Sequence, residues 1–363
     1  MNRGPKSRDF VSSVGVMTIH RRYWQCRCSC EGAYAVDEVL GLTSRWSKVL
    51  QKQMCRLAAD TSFAITSEHL KELLGVQIAP ETVRTLVESH GKTMAQFQVV
   101  DAQTQQAFIQ AAGEAEIAVD AGKVHTREEG WKDLKIAVIS KRPLGTPATP
   151  AEWNTSRLPS TTIALSWAAI AQAKTFRRQW KSRLKLLGVK AFAELHALGD
   201  GAAWIWKSVE RSLTGCVQTL DIYHGCEHLH RCAESIHGEG TPATATALDR
   251  GRELLLSQGW AGVCAWVAEL LAVEEESERE QRRKATDKLI KYFAAHIHRL
   301  NYQKMLQQGR VIGSGAVEGQ AKTLNLRLKR RGARWNRCNV QPMASLVCVR
   351  NSPQFDAYWA AAA

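Results

Sequence analysis

Five short apolar runs between residues 114 and 221 constrain the fold of this chain most strongly. They read AEIAVD, LKIAVIS, STTIALS, ELHALGD and VQTLD, and each has the length and the β-branched or apolar content of a strand. The first three follow one another without a long helix, whereas the later runs alternate with helical stretches at 167–187, 202–213 and 223–236. The resulting order, β-β-β-α-β-α-β-α, predicts a mixed α/β fold.

Helices are predicted before this region. Residues 43–112 have a helical pattern, in which the segment Phe63–Leu74 is closed by Gly75 as a C-cap. A second helix opens at Pro80 and is expected to stop at Gly91. Two helices with so short a link form either a helix-turn-helix or an ordinary packing hairpin, and the nearly neutral charge here leaves both open.

Helices are also predicted after the strands. Residues 243–308 look helical throughout. A final helix is expected to begin after the turn Gly313-Ser314-Gly315, to run through Arg331 and to stop at Gly332.

Positive charge is concentrated near the end of the chain. The sequence has 49 Lys and Arg against 35 Asp and Glu, a net charge of +14. Residues 304–350 alone carry 10 basic residues and the single acid Glu318. This local excess favours a polyanion such as nucleic acid over a surface that is basic only for solubility.

Composition excludes several classes of protein. With 45% hydrophobic and 23% charged residues the chain is neither disordered nor fibrous. Its longest apolar stretch, residues 162–173, is too short to span a bilayer, and the basic N-terminus lacks the apolar stretch of a secretory signal. Ten cysteines without such a signal indicate a reducing compartment. We therefore expect a cytoplasmic protein with no membrane partner.

Three acidic residues occupy positions suited to metal binding. Asp120 is expected to end the first strand, Asp200 ends the fourth, and Glu318 lies in the first turn of the final helix. Carboxylates so placed can hold two Mg²⁺ ions, which activate water and stabilise the leaving oxygen of a phosphodiester. Spacing alone does not select this triad over sets that include Asp133, Glu210 or Asp221.

A family resemblance selects the triad of Asp120, Asp200 and Glu318. Four blocks, spread over a similarity that runs from about Val16 to Trp359, resemble in order those of bacterial insertion-sequence transposases of the ISKra type: VDAGKVHTREEGWKDLKIAVIS, GDGAAWIW, LDIYHGCEHL and GSGAVEGQAKTLNLRLKRRGARW. These transposases belong to the DDE superfamily, which has an RNase H-like catalytic core. The resemblance implies that Asp120, Asp200 and Glu318 are the ligands of Mg²⁺ or Mn²⁺. It also implies that a helical insertion interrupts the core.

Further site residues follow from the same motifs. Asp221 and His224 resemble an Asp/Cys-x-x-His pair of DDE transposases, in which the imidazole can reach a phosphate or orient the site. Lys322, one turn after Glu318, could meet the scissile phosphate region. The remaining candidate DNA contacts are basic residues in two clusters: Arg327, Lys329, Arg330, Arg331 and Arg334, and Arg177, Arg178 and Lys181.

The N-terminal cysteines depart from the family pattern. ISKra-type proteins are expected to carry a zinc ribbon built from two C-x-x-C pairs, but Cys26, Cys28 and Cys30 stand at alternate positions without an upstream pair. Zinc is therefore not expected at these three residues. The predicted domains are a ribbon remnant at 1–42, a helical region with a candidate helix-turn-helix for DNA binding at 43–112, the first part of the catalytic domain at 113–237, the insertion at 238–308, the Glu318 helix and basic segment at 309–350, and a tail at 351–363.

The sequence thus predicts a DDE transposase of an insertion sequence. It would cleave DNA at the element ends with Mg²⁺ and transfer the strands to target DNA, in the bacterial cytoplasm at the nucleoid and as a homodimer or higher assembly. Two alternatives remain open. One is an RNase H-like nuclease without strand transfer, and the other is a non-catalytic DNA-binding protein derived from a truncated transposase.

Overall fold

The computed structural model describes residues 2–25, 32–40, 42, 44–189 and 191–361, in which two units are distinguished. Unit 1 comprises residues 1–104, 123–132 and 322–363. Unit 2 comprises residues 105–122 and 133–321. Each unit is thus assembled from segments that are far apart in the sequence.

The described residues form seven strands and fifteen α-helices. The strands are β1 Asn2–Ser12, β2 Gly15–Trp24, β3 Glu114–Thr126, β4 Gly130–Arg142, β5 Ile163–Ile170, β6 His196–Gly199 and β7 Val217–Leu220. The helices are α1 Ala35–Val39, α2 Lys48–Asp60, α3 Phe63–Leu74, α4 Pro80–Val100, α5 Ala102–Gln110, α6 Ala173–Leu186, α7 Ala203–Ser212, α8 Ile222–His237, α9 Pro242–Gln258, α10 Trp260–Leu271, α11 Glu276–Ala294, α12 Tyr302–Gln307, α13 Gly315–Leu328, α14 Arg337–Arg350 and α15 Gln354–Ala361.

Unit 2 is built on a five-stranded mixed sheet with the order β5-β4-β3-β6-β7. Strand β4 runs antiparallel to β5, whereas β3, β6 and β7 are parallel to one another. All five apolar runs of the sequence are strands of this sheet, so the predicted mixed α/β fold is confirmed.

The central strands are continuous apolar runs because both faces of the sheet are covered. Ile117 and Val119 of β3 and Ile136 and Ile139 of β4 are fully buried, and every residue of the short β6 is buried. Helix α6 covers the sheet with Phe176, Trp180 and Leu184. Burial on both faces removes the alternation of polar and apolar residues that a half-exposed strand would show.

The helices α9 to α12 confirm the predicted helical character of residues 243–308. Helix α9 begins at Pro242, directly after its N-cap Thr241, and packs against α8 and α10. Gly251 makes the contact with α10 possible, since a Cβ there would lie 2.8 Å from the Trp266 ring. These helices share the apolar core of unit 2.

Two boundaries predicted in unit 2 are wrong. Strand β3 does not end at Asp120 but continues to Thr126, since it pairs along a hairpin with β4 and buries Val124 and Thr126. Trp167 belongs to β5, where it pairs with Ala137, and helix α6 begins only at Ala173.

Unit 1 contains the strand pair β1–β2 and a set of packed helices. Helix α3 ends at Gly75, which has a left-handed φ of 65°, as predicted. The predicted stop at Gly91 is wrong, because α4 continues through it to Val100. A Cβ at Gly91 would collide with the backbone of Pro342 in α14, so this glycine allows two helices to approach closely and does not end one.

The end of the chain is more helical than expected. Helix α13 ends at Leu328 and not at Arg331, and Gly332 lies in the following turn with a φ of 82°. Helices α14 and α15 then fill the region described above only as a basic segment and a tail. The cysteines at positions 26, 28 and 30 lie outside the described residues. No helix in the described part of the chain is long and apolar enough to cross a membrane.

Candidate active site

Three carboxylates lie at one edge of the unit 2 sheet because three parallel strands are in register. Val119 of β3 pairs with Gly199 of β6, and Gly199 pairs with Leu220 of β7. Asp120, Asp200 and Asp221 are the residues that follow these three positions. Since neighbouring strands are about 4.8 Å apart, the backbone alone places the three acids side by side.

Asp120 and Asp200 are half-buried and are held by local hydrogen bonds. The Asp120 Oδ1 accepts a bond from the Ala121 amide at 2.6 Å, and the Asp200 Oδ1 accepts one from the Ala202 amide at 2.8 Å. Burial raises the pKa of Asp120, and the nearby negative charges of Asp200 and Asp221 raise it further. A cation bound between these acids would relieve that repulsion.

Asp221 is buried, and both of its carboxylate oxygens accept hydrogen bonds from neighbouring segments. Its Oδ1 caps α8 by accepting bonds from the amides of Tyr223 at 2.7 Å and His224 at 3.2 Å. Its Oδ2 accepts bonds from the Ser314 amide at 2.7 Å and from the Ser314 hydroxyl. The carboxylate therefore ties the end of β7 and the start of α8 to the loop that precedes α13.

The predicted pair of Asp221 and His224 is brought together. The His224 Nδ1 lies 3.7 Å from the Asp221 Oδ1, and this pairing raises the pKa of His224 to about 9. Burial opposes ionisation of Asp221, but the interactions with His224 and Ser314 outweigh it and lower the pKa of the acid. At neutral pH a cationic imidazole thus stands beside the carboxylate edge.

Glu318 lies in the first turn of α13, one turn after Ser314, and its side chain is exposed. Its negative charge acts on Tyr223, whose pKa is raised mainly by burial and then by Asp221 and Glu318. In residues 2–25, 32–40, 42, 44–189 and 191–361, however, no three His, Cys, Asp or Glu side chains are close enough to hold a metal ion. The donors are the hard oxygens that Mg²⁺ prefers, but Asp120, Asp200 and Glu318 are not assembled as one metal site.

A stacked pair of rings, Tyr292 and His228, lies next to Gly201, the residue that follows Asp200. The sequence did not predict this pair. The ring of Tyr292 from α11 stacks on His228 with centroids 3.5 Å apart, and it packs where a Cβ on Gly201 would be. Burial raises the pKa of Tyr292, and the charges of Asp200 and Asp221 add to this effect. No local sequence signal distinguishes Tyr292 from a core aromatic of a helix.

A cavity of about 280 Å³ lies beside the loop that Asp221 holds. It is lined by Trp153, Tyr223, Gly313 and Gly315, and the rings of Trp153 and Tyr223 are 5.7 Å apart. No sequence pattern indicates this cavity, because Trp153 belongs to the long proline-containing loop between β4 and β5.

The predicted basic residues have different surroundings. On α6, Lys174, Arg178, Lys181 and Lys185 are exposed at helical spacing and form one face, which we call the α6 basic face. Arg177 is half-buried and donates to the Ser212 hydroxyl at 3.3 Å.

The second basic cluster lies in unit 1. Its exposed members are Lys322, Lys329, Arg330, Arg331 and Arg334. Arg327, in contrast, is only 3% exposed and is not a surface contact.

Comparison with known proteins adds one relationship. Residues 189–354 match the model of an uncharacterised protein family (UPF0236). The matched segment is less than half of the chain and includes Asp200, Asp221, His224 and Glu318, but not Asp120. No curated protein matches the chain.

Proposed function

We propose that the protein is a DDE transposase of the ISKra type, which cleaves DNA at the ends of an insertion sequence and transfers the strands to target DNA. The observation that carries this proposal is the register of β3, β6 and β7, which sets Asp120, Asp200 and Asp221 side by side. The strand order β5-β4-β3-β6-β7 fits the RNase H-like core that the family resemblance implies.

Asp120 and Asp200 are the proposed ligands of Mg²⁺ or Mn²⁺, with Glu318 as the third expected donor. Such ions, when bound, stabilise negative charge on the attacking and leaving oxygens of a phosphodiester. Asp221 acts differently, because its oxygens are occupied by the α8 amides and by Ser314. It positions the first turn of α13, and it keeps His224 protonated where a DNA phosphate would approach.

The surfaces of unit 2 also fit a nucleic-acid substrate. The α6 basic face offers four exposed cations that can contact successive phosphates without sequence preference. The cavity that Trp153 and Tyr223 line is suited to an unstacked base, since an aromatic ring in its wall can stack on any base. Joining two element ends would require at least two copies of the protein on the DNA.

The test starts from the DNA that flanks the gene, which should contain terminal inverted repeats, and measures cleavage of duplexes that carry them. Wild-type protein should cut these ends with Mg²⁺ or Mn²⁺ and should join the freed 3′-hydroxyl to a target duplex. Asp120→Asn and Asp200→Asn should each reduce cleavage by about 10³-fold, because each removes a charged metal ligand. Asp133→Asn is the matched control, since Asp133 is an exposed carboxylate on the neighbouring strand β4.

Each outcome has a defined consequence. Cleavage without joined products would show that the protein is a nuclease without strand-transfer activity. Equal cleavage by wild type and Asp120→Asn would reject the metal assignment, and binding without any metal-dependent cleavage by wild type would leave a non-catalytic DNA-binding protein.

A further inference from the structure

A cavity in unit 1 is lined by arginine side chains from four separate segments. It has a volume of about 380 Å³, within the range of small-ligand sites of about 300–1,000 Å³. The arginines are Arg84 of α4, Arg127 of the turn after β3, Arg327 of α13 and Arg334 of the turn after α13. We call this space the arginine cavity.

Arg327 is built into the wall of the arginine cavity. Its guanidinium carbon lies 4.7 Å from the centroid of the Phe63 ring and 5.0 Å from that of Trp335, and its Nε donates to the Ala58 carbonyl at 2.6 Å. The side chain is 3% exposed, yet its Nη2 has no hydrogen-bond partner among the described residues.

A buried charged donor without a partner is costly, so it points to a missing ligand. Leaving such a group unsatisfied costs about 1–3 kcal/mol, and more when it is charged. Burial lowers the pKa of Arg327 to about 10, and the group therefore remains a cation at neutral pH. A ligand that satisfies this donor must accept a hydrogen bond, and a negative charge on the ligand would strengthen that bond.

The N-terminal end of α14 adds to this preference. Asn336 is its N-cap, and both Asn336 and Asn339 line the cavity. The positive end of a helix dipole favours anions, and the first amide of α14, that of Arg337, already donates a hydrogen bond to the Glu128 carboxylate at 2.9 Å.

One acid also lines the cavity, and it does not cancel the positive charge. Glu88 accepts a bond from Arg84 Nη1 at 2.8 Å, and Arg84 also pairs with Glu81. These two acids exceed the charge of Arg84 by one, and Glu88 also acts on Arg327, so four arginines against two acids leave a net charge of +2. The cations that remain for a ligand are Arg127, Arg327 and Arg334.

We propose that the arginine cavity binds a phosphate group of a nucleic-acid strand. Phosphate matches the fork of Arg327, whose Nη2 would bond an oxygen, while Arg127 and Arg334 would contact the same group from the exposed side. The inference rests on the nucleic-acid partner of the proposed function, but it requires neither the carboxylates of unit 2 nor a metal ion.

Binding of a single-stranded oligonucleotide with a 3′-fluorophore tests the proposal, measured by anisotropy in EDTA. Arg334→Gln, at an exposed position of the cavity, should weaken binding about tenfold. It should also reduce the slope of log K against log salt concentration by about one, which corresponds to one counterion fewer released on binding. Arg22→Gln is the matched control, because Arg22 is an exposed arginine of β2 that does not line the arginine cavity and is not a candidate DNA contact. Equal losses in the two variants, or no loss in Arg334→Gln, would overturn the proposal.

Two further measurements identify the source of the phosphate and check the folding. Tighter binding of a 5′-phosphorylated strand would assign the cavity to a terminal phosphate, and equal binding would assign it to the backbone. Inorganic phosphate should raise the Tm of wild type and of Arg22→Gln more than that of Arg334→Gln, and equal increases would count against the cavity.

Asp120→Asn separates this inference from the proposed function. It should bind the oligonucleotide in EDTA at least as tightly as wild type does, because the change removes a negative charge and leaves the arginine cavity intact. If it loses cleavage while Arg334→Gln binds normally, the catalytic proposal stands and the cavity proposal fails.

Discussion

The acidic edge of unit 2 and the arginine cavity of unit 1 are assembled in opposite ways. Asp120, Asp200 and Asp221 come from three strands whose backbone register fixes their positions. The arginines of the cavity come from two helices and two turns, and the best placed of them, Arg327, is fixed by stacking on aromatic side chains. Backbone register leaves a trace in the local sequence, whereas side-chain stacking between distant segments does not.

The largest effect on stability is expected in unit 2 from Asp221→Ala. The change removes a helix cap and leaves the Ser314 amide and a cationic His224 without their acceptor. We expect a loss of about 3–5 kcal/mol in the free energy of unfolding, measured with urea. Asp249→Ala, which removes only an exposed ion pair with Arg252, should cost less than about 1 kcal/mol. Similar losses in both variants would show that the hydrogen bonds of the Asp221 carboxylate do not stabilise the fold.

In unit 1, Gly91→Ala should destabilise by about 1–3 kcal/mol, because the new Cβ meets the rigid backbone of Pro342. Gly319→Ala on α13 is the control. Its Cβ meets nothing within 4 Å, and the gain in helix propensity should stabilise by up to about 1 kcal/mol. Thermal unfolding measures both, and a stabilised Gly91→Ala variant would contradict the close packing of α4 and α14.

A smaller loss of stability is expected in acid, and it involves the half-buried His90 of unit 1 and the buried His196 of unit 2. Burial lowers the pKa of His90 in unit 1 to about 4 and that of His196 in unit 2 to about 3. Both are neutral in the folded protein, so the unfolded chain takes up protons first, below its ordinary pKa of about 6.5. Their contribution to stability is complete above that pH and declines as the pH falls toward 4.

Urea unfolding at pH 7.5 and at pH 5.5 measures this decline. His90→Gln should reduce the difference between the two pH values, whereas His20→Gln, at an exposed position of β2, should leave it unchanged. An unchanged difference in His90→Gln would mean that His90 is protonated in the folded protein.

The smallest effect is expected on the α6 basic face. Lys181→Gln should reduce the slope of log K against log salt concentration for duplex DNA binding by about one, with little change in the free energy of unfolding. Lys284→Gln, which removes an exposed lysine of α11, should leave the salt dependence unchanged if DNA follows α6. The reverse result would place the DNA on α11.

Particular residues show where prediction from the sequence succeeded and where it failed. The runs around Ile117 and Ile136 were recognised as strands because burial on both faces requires continuous apolar residues. The end of β3 was misplaced because its continuation, residues 121–126, mixes small, polar and apolar residues along a hairpin. Gly91 was taken for a helix stop because its contact, Pro342, lies far away in the sequence.

The sequence by itself determined the five strands of the mixed sheet, the helical regions around them and the positions of the acids that follow β6 and β7. These depend on local periodicity and on residues next to strand ends, which the order of amino acids records directly. Only the tertiary structure decided that Asp221 holds the loop before α13 and that Arg327 is buried between Phe63 and Trp335. Both depend on contacts between distant segments, which folding alone brings together.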